Sequence, residues 1–171
     1  MLTSSAGIER GRRAFTLVEL IIVLIIMAIA MGIVAPFMAS SFDKYRLRET
    51  SRGLSSFLRR AREVALKEGI KSLVYFSSED NTFNVVFQKH GERVPLDYPI
   101  WFEVTEGVEV MVEVNDPIED LWKDTPHFVF FPMGNAVGGT VKLSLKEGDI
   151  SVVKIDDITG NIAILREAGQ V

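Results

Sequence analysis

The chain is predicted to adopt an α+β fold. One long N-terminal helix, with a membrane half and an amphipathic half, packs on an antiparallel all-β head of two sheets. Three observations predict it. Phe15 to Ala35 is an apolar run of 21 residues broken by a single charge, Glu19. The stretch that follows places apolar residues at helical spacing. From Lys71 onward the apolar period drops to two, with turn residues at short intervals.

The apolar run comes first. As a helix it extends for about 31 Å, close to one bilayer core. Arg10, Arg12 and Arg13 precede it, opposed only by Glu9, so positive-inside logic keeps the N-terminus cytoplasmic and exports the C-terminal part. Three readings compete for such a segment. It can be a plain anchor, a secretory signal cleaved after Ala28-Ile29-Ala30, or a twin-arginine signal built on Arg12-Arg13. Glu19 weighs against both export-signal readings. An acid in the apolar core costs about 2.5–3.5 kcal/mol near the bilayer centre, and residues 31–35 stay apolar where a mature secreted chain turns polar. An intramembrane carboxylate needs a partner. A cut after Ala14 creates one, because Phe15 then carries a cationic α-amine one helical turn from Glu19. Further along, Pro36 cannot donate an intrahelical hydrogen bond and is expected to kink or loosen the helix, with Gly32 weakening the same turn.

The short basic leader, the small residue Ala14, Phe15, Thr16-Leu17-Val18, Glu19 and the apolar run together resemble the class III signal of type IV prepilins and type II secretion pseudopilins. The family usually carries Gly before the scissile bond; Ala14 keeps a small residue there. The resemblance implies a leader at 1–14, cleavage between Ala14 and Phe15 by the membrane prepilin peptidase, and N-methylation of Phe15. It also implies a transmembrane and assembly helix at 15–35, in which Glu19 registers the Phe15 amine within its own chain or of an adjoining subunit. The expected partners are the peptidase, other major and minor pseudopilins, the ATPase-driven inner-membrane assembly platform, and membrane lipid before assembly. The expected location is the bacterial inner membrane, single-pass, with a periplasmic head.

The neck, residues 36–69, carries Leu47, Leu54, Phe57, Leu58, Ala61, Val64 and Ala65 at spacings of seven, three and four, which makes an amphipathic helix. Arg46, Arg48, Arg52, Arg59, Arg60 and Arg62 are placed on its outside, and Gly69 is its expected C-cap. The arginine stripe reads as a solvated face, with an inter-subunit contact to an acidic head as the sharper alternative.

In the head, residues 70–171, "SLVYF" and "TFNVVF" flank the turn-rich residues 77–81 and read as a hairpin. His90-Gly91-Glu92 marks another reversal. In "VEVMVEV" the residues Val108, Val110, Val112 and Val114 face one way, and Glu109, Met111 and Glu113 the other. Asn115 to His127 reads as a loop. "FVFF", "TVKLSL", "ISVVKI" and "NIAIL" follow as strands, for seven or eight in all. The phrase Phe130-Phe131-Pro132-Met133-Gly134, with "GGTVKLSL" and "ITGNIAI" after it, is similar to the C-terminal signature of H-class minor pseudopilins, which related minor pilins share. That resemblance implies a minor pseudopilin near the tip of a type II secretion pseudopilus. A minor pilin of a type IV or DNA-uptake pilus is the alternative.

Charge and composition exclude several other classes. Residues 43–69 hold eight basic and four acidic residues, whereas Ile70 onward holds eight basic and seventeen acidic ones. An acidic head argues against nucleic-acid binding. Absence of cysteine removes disulfides, thiolate metal sites and a Cys nucleophile. His90 and His127 sit in "KHGE" and "TPHF", which read as turn or loop without a partner at ligand spacing. Residues 134–140 look like a phosphate loop but have Thr140 where lysine is needed, and a strand follows. Asp116, Glu119, Asp120 and Asp124 lack EF-hand spacing and read as loop solvation. No cofactor, metal or catalytic set is expected.

Overall fold

The computed structural model describes residues 16–95, 100–115, 125–145 and 148–167, with the side chains of 34–43 and 166–167 outside the description. Two compact units make up the chain, Met1–Ser41 and Phe42–Val171. Helix α1, Leu17–Glu68, contributes to both.

In the first unit α1 begins at a cap. Thr16 Oγ1 accepts the Glu19 backbone N–H at 3.2 Å, and the Thr16 carbonyl accepts from Leu20. Thr16-Leu17-Val18-Glu19 therefore has the spacing of a capping box, with the threonine half made. The large apolar side chains of residues 17–33 are exposed around the whole helix, from 44% at Val23 to 74% at Leu17. A helix apolar on every face is one that some surrounding phase must cover.

In the second unit the helix is amphipathic because it rests on the sheets. Leu47, Leu54, Phe57, Leu58, Ala61 and Ala65 are all buried in one core. The helix ends where Gly69 turns left-handed (φ +62°) and the Ile70 N–H reaches back to the Ala65 carbonyl. Both residues of that Schellman closure are buried, as its apolar contact requires.

The strands are β1 Lys71–Ser77, β2 Thr82–Lys89, β3 Glu92–Arg93, β4 Trp101–Glu103, β5 Glu109–Val114, β6 His127–Phe130, β7 Ala136–Val137, β8 Gly139–Ser144, β9 Ile150–Ile155 and β10 Ile162–Glu167. They form two sheets, β3-β2-β1-β6-β7 with β4 also on β2, and β10-β9-β8-β5. The strand pairings among the described residues are antiparallel. Val74, Phe83, Phe128 and Phe130 from the first sheet and Val141, Leu143, Val153 and Ile155 from the second share the core with the helix. Burying such side chains contributes roughly 1.5–3 kcal/mol each before entropy is charged.

Polar residues also stitch the helix to the sheets. Ser51 Oγ bonds the Leu47 carbonyl at 2.6 Å and Ser151 Oγ at 2.8 Å; Thr50 Oγ1 bonds the Arg46 carbonyl and Thr105 Oγ1; Ser72 Oγ donates to the Ala61 carbonyl. Each hydroxyl is satisfied, so its burial carries little penalty.

The predicted helix, the antiparallel head and the two sheets are all present. The β1–β2 hairpin, the reversal at Gly91 (φ +89°) and the alternating burial of β5 match the sequence expectation. Three points differ. His127 is not in a loop: it opens β6, is buried, and pairs with Tyr75, while its Nδ1 lies 2.9 Å from the Thr125 carbonyl. Pro126 immediately before it signals a turn, yet proline is tolerated at a strand entrance. Residues 134–139 are not only a connection, because Ala136–Val137 folds back on β6 through the Phe131 N–H to Asn135 carbonyl bond. Ten strands occur among the described residues, since β3, β4 and β7 are too short to show a period.

Candidate functional site

Two regions hold the sequence features singled out for function. The first is the start of α1. Glu19 stands at the third helical position, where the macrodipole favours a carboxylate. Its backbone is capped, but among the described residues its carboxylate makes no hydrogen bond or ion pair. Ala14 and Phe15 lie outside the described residues, and so does the side chain of Pro36, whose backbone is within α1. Among the described residues no helix is long and apolar enough to cross a membrane. The described apolar side chains, 17–33, cover about 25 Å of helix where a bilayer core needs about 30 Å.

The second region is the junction of the head's two sequence phrases. The Phe131–Asn135 turn and the Asp156–Asn161 turn pack directly together. A Cβ on Gly160 would lie 2.3 Å from the Gly134 carbonyl oxygen. Both glycines are left-handed, at φ +94° and +62°. The second turn is held from inside: Asp156 Oδ1 accepts the Thr159 N–H at 2.8 Å and its hydroxyl at 2.7 Å, and the Gly160 N–H donates to the Asp156 carbonyl. The Thr159 backbone and hydroxyl bonds hold the Asp156 carboxyl below the ordinary aspartate range, as expected when donors face the charged form. Asp157 ties the turn to its neighbours by accepting the Gly138 N–H at 2.7 Å and the Asn115 amide at 2.8 Å.

Arg62 fastens this junction to the helix. Its Nη2 donates to the Thr159 carbonyl at 2.9 Å, and its Nε and Cδ occupy the space over Gly160. Its Nε is buried without a hydrogen bond among the described residues. Arg59 makes a parallel link, from Nη2 to the Ile162 carbonyl at 3.1 Å. The expectation that both arginines merely decorate the outside is therefore corrected. Their guanidinium groups span from the helix to carbonyls at and just before the last strand, because a long forked donor reaches unpaired carbonyls that a shorter side chain cannot. The run "RRAR" carries no local sign of this role.

The acids Asp116, Glu119, Asp120 and Asp124 lie outside the described residues. Among the described residues no three metal-ligating side chains gather. Residues 134–140 contain β7 and the start of β8, and no helix follows to present N–H groups to phosphate.

Residues 10–35 match the prokaryotic N-terminal methylation motif. No curated protein matches the sequence. Among solved structures, two of the minor pseudopilin EpsH from the Type 2 Secretion System of Vibrio cholerae superpose with TM-scores of 0.55 and 0.57. Their identities are 12% and 13%, over 71% and 75% of this chain and 97% and 99% of theirs. The type IV minor pilin FimU of Pseudomonas aeruginosa (strain PAO1) superposes with a TM-score of 0.50 at 14% identity, over 74% of this chain and 91% of its own. At these identities the likeness is one of fold. The chain thus carries a methylation motif of the prepilin type ahead of a pilin-like head.

Proposed function

We propose that the chain is a minor pseudopilin of a type II protein secretion pseudopilus, at or near its tip. Before assembly it is a single-pass inner-membrane protein with a cytoplasmic leader and a periplasmic head. Prepilin peptidase cuts between Ala14 and Phe15, Phe15 is N-methylated, and the platform then moves the helix from lipid into a stack of other pseudopilins. Pro36 gives the helix the local looseness that packing demands.

One observation carries this reading: a helix apolar on every face starts with a capped acid whose carboxylate has no partner among the described residues. Lipid suits the apolar faces but not the acid. A filament of like helices suits both, because each neighbour brings an amine. The methylation motif and the likeness to a minor pseudopilin head support the reading. The chain then serves as a structural subunit and not an enzyme.

The FimU likeness favours a second reading, a minor pilin of a type IV or DNA-uptake pilus. The acidic head speaks against a nucleic-acid partner. Deleting the gene separates the two. The pseudopilin reading predicts that exported enzymes accumulate in the periplasm while surface pili persist. Loss of surface pili with normal secretion would transfer the assignment to the pilus.

A further inference from the structure

A groove of about 400 Å³ in the head unit is lined by Arg48, Ser51 and Arg52 on α1 and by Ser151 and Ile164 on the second sheet. A second hollow of about 290 Å³ shares Arg48 and Arg52 and adds Tyr45, Gly53, Ser56 and one acid, Glu49, so the two arginines leave the lining with a net positive charge. Arg59 and Arg62 are committed to carbonyls. Arg48 and Arg52 are exposed, and neither makes a hydrogen bond or ion pair among the described residues. Like charges four residues apart on a helix repel each other, so the pair gains from any anion that bridges it.

The opposite wall is a sheet edge: among the described residues β10 is the outermost strand of its sheet. The Ile162 carbonyl faces away from β9, since it accepts from Arg59, while the Asn161 carbonyl faces β9 and accepts from Asp156. By the alternation of strand hydrogen bonds, Ile164, which lines the groove, presents its N–H and C=O away from β9. Such an edge adds an extended chain by main-chain bonds. The spacings also agree. Arg48 and Arg52 are offset by about 6 Å along the helix, and carboxylates two residues apart on a strand are about 6.6 Å apart.

We infer that this groove receives an extended acidic segment, with two carboxylates in acid-x-acid spacing, from the head of a neighbouring filament subunit. The inference rests on the filament reading above. It names the contact that an acidic head offers: this chain's own head carries seventeen acids against eight bases, and the groove supplies the opposite charge.

The chain has no cysteine, so Ser56→Cys gives the full-length protein one thiol beside the groove. In cells that assemble the filament, a thiol-linked photo-crosslinker at that position is expected to capture an acid-x-acid stretch of a neighbouring head. Capture should fall about tenfold in Arg48→Gln/Arg52→Gln. It should be retained in Arg48→Lys/Arg52→Lys and in the control Arg46→Gln. Capture of lipid, of nucleic acid or of a neutral segment overturns the inference, and so does capture unchanged by the double Gln variant. If that variant assembles in a Glu19-dependent way with unchanged capture, only the groove fails. If the chain never enters a filament, the functional reading fails with it.

Discussion

Glu19→Leu is expected to insert into the membrane at least as well as the native chain, and to enter the filament about a hundredfold less. Removing the acid lifts an insertion cost, which reaches about 2.5–3.5 kcal/mol at the bilayer centre and is smaller toward the end of the span where Glu19 stands. On the proposed filament reading, however, leucine would leave the neighbouring Phe15 amine buried and unpaired within the stack, at a cost of about 3–5 kcal/mol. The second effect governs assembly. Because Glu19 also stands at the capping-box position after Thr16, a purely local role must be separated. Glu19→Gln does so, since glutamine fills the same place in a capping box but carries no charge. The charge account expects Gln to fail nearly as badly as Leu. Immunoblots of sheared filaments against membrane fractions give the ratio directly. Full assembly of the Gln variant would reduce Glu19 to a helix cap.

Gly160→Ala is expected to be the most damaging single-methyl addition at the head junction, lowering stability by about 3 kcal/mol. Two costs combine. Alanine in the left-handed region is disfavoured by about 1–2 kcal/mol, and overpacking adds about 1–3 kcal/mol. The new methyl would sit 2.3 Å from a backbone oxygen of Gly134 and 2.9 Å from Arg62 Nε. A backbone oxygen held by its own turn cannot step aside as the end of a long side chain can. Gly134→Ala is the internal comparison. It shares the left-handed strain, but its methyl meets only Leu66 and Arg62 side-chain atoms at 3.5 and 3.6 Å, which is ordinary contact. It should cost only the left-handed penalty of about 1–2 kcal/mol. Thermal unfolding of the detergent-solubilised chain should therefore show a fall of about 10 °C for Gly160→Ala and a smaller one for Gly134→Ala. Equal falls would mean that the two turns do not bear on each other.

The fold was legible where one physical rule dominates. Leu47, Leu54, Phe57, Leu58, Ala61 and Ala65 keep helical spacing, and all are buried. The valines of β5 alternate with Glu109, Met111 and Glu113, and the burial alternates with them. Illegible features depend on chain segments far apart in sequence. Thr50, Ser51 and Ser55 look like interruptions of an apolar face, yet all three are buried, and Thr50 and Ser51 find hydroxyl partners 55 and 100 residues away. Gly53 looks like a weak point in a helix. Its missing side chain instead leaves room for the Phe102 ring, 2.6 Å from where a Cβ would stand. β4 is bound to the end of β2 partly through Asn81, whose side chain and backbone carbonyl both bond Val104. Nothing within the three residues of β4 announces that.

At the site, Glu19 draws attention because a charge in an apolar run is conspicuous by itself, while Ala14 and Phe15 lie outside the described residues. The glycines of the two head phrases were visible as turn residues, but not as neighbours. Arg62 was indistinguishable from the solvated arginines beside it, since its partners, Thr159 and Gly160, follow it by nearly a hundred residues.

Mass spectrometry of the mature chain's N-terminus tests the central claim most directly, because both the pairing of Glu19 and the place of the helix in a filament depend on one cut. The account predicts a chain that begins at Phe15 and carries one methyl group on its α-amine. A mature chain that begins at Met1, or at Met31 after an ordinary signal cleavage, would contradict it.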